Sequence, residues 1–527
     1  MTLKKTFWDR AILHPFLFAV YPLFSLWLAN IDQVAPFALS RALFLTIILL
    51  ALLLPAGLIL YRNPVKGAVF ASLLLLLFLL YGRFFAIVDM KSILGFVIGR
   101  HRFMLPLWGI AAAAGGLLLW RAKPPYSLNR ILNIVSVFLL AVVLIQIGAY
   151  TIQTGFTTTK VSASPTGKES PAPTASDEAG PDVYYILLDG YSRKDVLLQE
   201  NGPDVSDFLE RLTNLGFVLG SCSQSNYDYT SLSLSSSLNM DYLDAFGIEM
   251  DPNEPRIKYA DFEDLTRHST VRKKFESYGY QTIAFKSVYP WLDVTDADIF
   301  YDAEEDVPFY NRLEAVNFQY LFLSTTIFRP LLEAQTASPK IVERLPLFVT
   351  RLFFPKADLL STREYKQYQQ NLYALEKLSE VPRLPGKKFV YAHLFHTHQP
   401  YVFNPDGSFR WPPKDSKEAY FDQILYTNER IIEVIETILR ESKTPPVIIL
   451  QSDHGYPYTT DRVKILNAYY FPGAGRDAVY PTISPVNSFR LVFNAYFNEN
   501  MPLLEDLSYH SSHDRPYQME LVPTGCP

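Results

Sequence analysis

Asp453 and His454 stand side by side in VIILQSDHG, followed by Gly455 on a tight turn. They present a carboxylate and an imidazole together, two ready ligands for a divalent cation. Asp189, in ILLDGYS, is another acid at the end of an apolar run, although an Asp ahead of Gly190 also suits a plain turn. Thr230 lies in the hydroxyl-rich stretch SNYDYTSLSLSSSLNMDYL, just before Leu232, Leu234 and Leu238. A Thr at a helix start is ordinarily an N-cap. Of the three clusters, the Asp-His pair is the most specific.

The elements that would position these residues read as an α/β sheet. VYYILLD, ending at Asp189, is a continuous apolar run too short for a helix and rich in β-formers, which implies a buried parallel strand. The segment 203–215 has helical spacing and stops at Gly216. YQTIAFKS (280–287) follows the helical STVRKKFESYG, KKFVYAHLF spans 387–395, and PVIILQSD (446–453) follows the helical TNERIIEVIETILRES. Strands alternating with helices predict a mostly parallel sheet flanked by helices on both faces. Ligands in such sheets sit beyond the carboxyl ends of the strands, where Asp189 and Asp453 fall.

The N-terminal part has another character. Of 48 Lys+Arg and 53 Asp+Glu in 527 residues, the first 150 hold 13 bases and only three acids, Asp9, Asp32 and Asp89. The two parts therefore carry +10 and −15, which rules out one soluble domain. Apolar runs near 13–30, 41–61, 67–88, 103–120 and 131–152 approach the about 20 residues that cross a membrane, predicting a transmembrane domain of about five helices over 1–155. The Lys/Arg bias favours a cytoplasmic N-terminus and an extracytoplasmic remainder. Residues 156–180, mostly Thr, Ser, Pro, Ala and Gly, read as a flexible linker, and 181–527 as the outer domain. An acidic outer part argues against nucleic acid as a partner. Cys222 and Cys526 are permitted a disulfide outside the membrane, but unpaired thiols are the favoured reading.

Taken together, the clusters resemble the alkaline phosphatase and sulfatase superfamily. The match is best to its membrane branch of lipoteichoic acid synthases and lipid A phosphoethanolamine transferases. The resemblance implies that Asp189, Thr230, Asp453 and His454 hold one divalent ion (Zn, Mn or Mg). Thr230 would be the nucleophile, on the strength of T-x-x-S-L at Thr230, Ser233 and Leu234, with Ser231 and Ser225 as alternatives. HLFHTHQPYVF resembles the family's substrate-binding segment, giving His398 a catalytic place and His393 and His396 contacts to substrate. A hydroxyl held on a dication at the positive end of a helix dipole can attack phosphorus in line. His398, or a protonated His396, would bind phosphate oxygens or protonate the leaving alkoxide.

Departures from the family narrow the expectation. Cys222, in CSQSN, lacks the C-x-P-x-R surround of sulfatases that convert Cys to formylglycine. Ahead of the Asp-His pair, where a two-metal site would have it, the only Asp-x-x-x-His spacing is Asp264 to His268, which reads as an exposed helix face. The transferases have Glu where this chain has Asp189, and a His soon after Asp-His where this chain offers Arg462 as a substitute cation for substrate. His510 and His513 read as surface residues. The implied activity is metal-dependent transfer or hydrolysis of a phosphate ester through a phospho-Thr, moving a lipid headgroup phosphate onto a glycan or lipid acceptor. The competing readings are a hydrolase of soluble sulfuric or phosphoric esters and a non-catalytic tethered binding protein.

Overall fold

A computed structural model describes residues 7–31, 34–88, 92–93, 96–97, 100–153, 180–308, 312–337, 363–456, 459, 461–512 and 514–526. The expected linker falls outside the described residues except for Gly180. The chain divides into two compact units, Met1–Thr166 with Val307–Arg363, and Gly167–Asp306 with Glu364–Pro527.

In the first unit the five apolar runs are the helices His14–Leu28, Ser40–Tyr61, Pro64–Val88, His101–Arg121 and Tyr126–Gln153. The last four are long and apolar enough to cross a membrane. His14–Leu28, at 15 residues, is the shorter one; it rises about 22 Å, less than the about 30 Å of a hydrocarbon core. Polar side chains of a neighbouring helix define where it starts. Asn133 Oδ1 accepts the backbone N–H groups of Leu13 and His14, each at 3.0 Å, and Asn129 Nδ2 donates to Ala11 O at 2.8 Å.

Two further helices, Leu313–Ser324 and Arg329–Ala337, belong to this unit although they are encoded inside the outer domain. This differs from the expectation of one continuous domain over 181–527. The reason is apolar: Phe318 and Phe322 share a core with Leu23, Leu39, Leu75 and Leu79. Gly82 makes the fit possible. Its N–H donates to Thr325 O at 2.8 Å, and a Cβ there would lie 2.1 Å from Ser324 O.

The second unit is built on a seven-stranded sheet. Its strands are β1 (Val183–Leu188), β2 (Val218–Leu219), β3 (Gln281–Phe285), β4 (Ile299–Tyr301), β5 (Lys388–Leu394), β6 (Val447–Gln451) and β7 (Asn467–Tyr470), in the order β2-β7-β6-β1-β5-β3-β4. β6, β1, β5, β3 and β4 run parallel, and β7 is antiparallel to β6 and β2. The mostly parallel α/β sheet expected from sequence is therefore present. Central β1 is buried on both faces: Tyr184, Ile186 and Leu188 join one core, Val183, Tyr185 and Leu187 the other. A hairpin of β8 (Ser508–Ser512) and β9 (Arg515–Val522) follows near the C-terminus. Cys222 and Cys526 are disulfide-bonded, which corrects the favoured reading of free thiols. A separation of 304 residues hid the pairing from the sequence.

Candidate active site

The carboxyl ends of β1, β5 and β6 meet in the middle of the sheet, and each delivers polar side chains to one place. Asp189 follows β1, His393 is the penultimate residue of β5, and Asp453 and His454 follow β6. All four are buried. The strand ends are laced together by Ser452, whose hydroxyl oxygen accepts Tyr191 N–H at 2.8 Å and lies 2.7 Å from Leu188 O. Gly190 has φ +76°, a conformation suited to glycine, and its N–H donates to Asp453 Oδ1 at 3.1 Å. Asp189 does lie on a turn, but its carboxylate is not spent on it.

The ligand-type atoms of Asp189, His393 and Asp453 lie within 4.8 Å of one another. His393 Nε2 is 3.1 Å from Asp189 Oδ2, yet neither atom is aligned for a hydrogen bond. Both oxygens of Asp189 and Asp453 Oδ2 are buried without a hydrogen-bond partner. Burying unpaired carboxylate oxygens costs several kcal/mol unless a cation compensates them. Side chains that approach without bonding one another, all buried, fit a shared divalent cation.

His454 completes the group. Its Nδ1 donates to Gly455 O at 2.8 Å, leaving a lone pair on Nε2. Nε2 lies 3.5 Å from Asp453 Oδ2 and 3.7 Å from Asp189 Oδ1, and it receives Thr230 Oγ1 and Arg462 Nη2, each at 3.3 Å. Burial pushes the His454 pKa down and Arg462 adds to the effect, against the pull of Asp453 and Asp189. Burial alone would raise the Asp189 carboxyl. The imidazoles of His398, His393 and His454 outweigh it and hold Asp189 below the usual carboxylate range.

Thr230 is the first residue of the helix Thr230–Asn239; the N-cap position belongs to Tyr229, and no side chain caps it. The hydroxyl is therefore directed at His454 instead of back to its own helix, and the positive helix end lies behind it. Of the alternative nucleophiles, Ser231 is buried within the helix and Ser225 Oγ donates to Val463 O at 3.3 Å.

The remaining site candidates separate. His398 is half-buried and its Nδ1 donates to Gln399 O at 2.7 Å. Arg462 lies over the Tyr229 ring at 5.0 Å as well as beside His454. His396 points into the packing, stacked on Phe403 with ring centroids 5.4 Å apart, and burial drives its pKa down to about 3. The protonated His396 that would grip phosphate does not exist near neutral pH. His393 sits among the ligand-type atoms, in contrast to its expected contact with substrate; its place at the very end of a strand was the available signal. His268 bridges Asp264 at 2.5 Å and Asp296 at 3.0 Å through different ring nitrogens, half exposed. Sequence reasoning missed the pair of Asp228 and His510, 2.6 Å apart just upstream of Thr230. His513 lies outside the described residues.

The sulfatase family model matches residues 181–483. Among curated proteins none matches this chain. Solved structures similar to it include three at low identity. One is the integral membrane protein lipooligosaccharide phosphoethanolamine transferase A of Neisseria meningitidis (14% identity, 92% of this chain and 95% of that one, TM-score 0.37). Another is the lipoteichoic acid synthase LtaP of Listeria monocytogenes (14%, 63% and 77%, 0.38). The third is the C-terminal periplasmic domain of EptC from Escherichia coli in complex with Zn (13%, 61% and 84%, 0.37). Because the family match covers more than half of its length, this chain is an enzyme of the sulfatase family, preceded by four helices long and apolar enough to cross a membrane.

Proposed function

We propose that the protein transfers or hydrolyses phosphate esters by way of a covalent phospho-Thr230, at the outer face of the cytoplasmic membrane. It would take a lipid-borne phosphate headgroup as donor and a glycan or lipid hydroxyl as acceptor. The observation that carries this reading is the Thr230 hydroxyl at the start of a helix, 3.3 Å from Nε2 of a buried His454 that is flanked by two buried carboxylates. Asp189, His393, Asp453, His454 and Thr230 would hold one divalent ion. When bound, that ion supplies positive charge to the nucleophile and to the phosphoryl oxygens.

The chain's own residues account for the rest. Thr230 Oγ1, its proton first released to solvent, attacks phosphorus as the alkoxide, the P–O bond to the leaving alcohol breaks, and a protonated His398 donates its proton to the departing oxygen. Arg462 binds the non-bridging oxygens in place of a second metal. The helix dipole and the Arg462 charge both favour the anionic phosphoryl-Thr. An acceptor hydroxyl or water then displaces Thr230, its proton passing to the now neutral His398. The membrane-spanning helices support a lipid donor, and the Lys/Arg distribution supports a cytoplasmic N-terminus.

The test is Thr230→Ala in the full-length protein with bis(p-nitrophenyl) phosphate as substrate. Turnover is expected to fall by about 10³-fold or more, and the phosphoryl adduct on the tryptic peptide containing residue 230 is expected to vanish. Wild-type turnover in that variant sinks the assignment.

A further inference from the structure

The geometry points to Asp228 as the positioning residue for Thr230, latched in place by His510 of the C-terminal hairpin. The inference rests on the reading of Thr230 as nucleophile and adds what holds its hydroxyl in line. The helix Thr230–Asn239 begins without a side-chain cap, so its first residue is not fixed by the usual local device. The segment that leads into it is anchored residue by residue. Cys222 is bonded to Cys526, and Ser225 N–H donates to Val463 O at 2.7 Å. Asn226 Nδ2 donates to Leu507 O at 2.9 Å, and Tyr227 stacks on Tyr509 at 5.4 Å.

Asp228 is the last anchor. Its carboxylate is buried, accepts the N–H and the hydroxyl of Ser511, each at 3.2 Å, and has His510 Nδ1 2.6 Å from Oδ2 as a close ionic contact that is not aligned for a hydrogen bond. Two donors from Ser511 and the closely apposed imidazole of His510 define the orientation of this buried carboxylate. The intervening Tyr229 is extended (φ −120°, ψ 136°), which places the side chains of Asp228 and Thr230 on the same side of the chain. Two extended residues span at most about 7 Å, so a shift at Asp228 is passed on to Thr230 with little slack. Tyr229 carries the same coupling: its hydroxyl donates to Ser512 O at 3.3 Å, and its ring supports Arg462, which touches His454. The β8 strand thus braces both the nucleophile and the cation beside it. A displacement of about 1 Å at a nucleophile can cost about 10²-fold in rate.

The experiment compares Asp228→Ala, His510→Ala and His510→Asn in the full-length protein, reading kcat and KM for bis(p-nitrophenyl) phosphate, phospho-Thr230 formation, bound metal and melting temperature. Asn at 510 sets a polar amide against Asp228 in place of the imidazole, so His510→Asn is expected to stay within a few-fold of wild-type. Both Ala variants are expected to lose about 10²-fold in kcat and in the rate of adduct formation, with KM and metal content unchanged. Wild-type kcat in the Ala variants overturns the inference, as does a loss that follows lost metal or lost folded protein, or a His510→Asn variant as impaired as His510→Ala. Thr230→Ala, run in parallel, separates the two claims. If it is inactive while the 228 and 510 variants are fully active, positioning alone fails; if it is active, the nucleophile reading itself falls.

Discussion

Thr230 and Arg462 both approach one lone pair on His454, and the two carboxylates beside it have oxygens with no partner of their own. A site wired in this way fits a bound cation. Dialysis against a chelator is expected to abolish turnover, and adding back Zn, Mn or Mg singly identifies the native ion by which restores it. Asp453→Asn and His393→Ala should each lower metal affinity by about tenfold or more, measured as metal retained after gel filtration. Full retention in His393→Ala removes His393 from the ligand set. His396 makes a different prediction. Its folded pKa, about 3, lies below the unfolded value, so the unfolded chain takes up the proton first. The stability contributed by this ring is intact above about pH 6.5 and is lost as pH falls towards 3. The slope is roughly 1 kcal/mol per pH unit. Replacing it by Leu should flatten the dependence of urea midpoint on pH between 6.5 and 4.

At the scale of elements, the close approach at Gly82 is the most exacting contact in the first unit. A Cβ there meets the backbone of Ser324 and Thr325, which has no rotamer to yield. Gly82→Ala is expected to destabilise the packing of Leu313–Ser324 by about 1–3 kcal/mol, seen as a lower melting temperature in detergent and faster tryptic cleavage at Arg312. An unchanged melting temperature would show that the helices adjust freely. The four strands with long apolar runs (β1, β3, β5 and β6) were legible in the sequence because burial on both faces leaves continuous apolar text. β2 has two residues and β7 reads NAYY; their pairing is supplied by β6, not by local pattern. The site was legible to a similar extent. Asp189, Asp453 and His454 sit at strand ends, where position alone marks them. The environment of His396, the partner of His510 and the Cys222–Cys526 bond depend on contacts between distant segments, which spacing does not encode.

On the scale of the whole molecule, composition separated a basic apolar part from an acidic one, yet the boundary in sequence is not the boundary in space. Residues 307–363 return to the first unit after β4, and the chain resumes the sheet with β5. Phe318, Phe322, Leu323 and Leu332 are buried there, each gaining about 1.5–3 kcal/mol from leaving water. Anyone wishing to release the catalytic half by cutting at residue 180 would therefore obtain a fragment bearing a greasy pair of helices deprived of their company. Such a fragment should clump or demand detergent, as light scattering would report. A version that also excises 307–363 and joins the flanks with a short Gly-Ser bridge should stay monodisperse, so that solubility, not activity, reveals where the membrane's share of this chain ends.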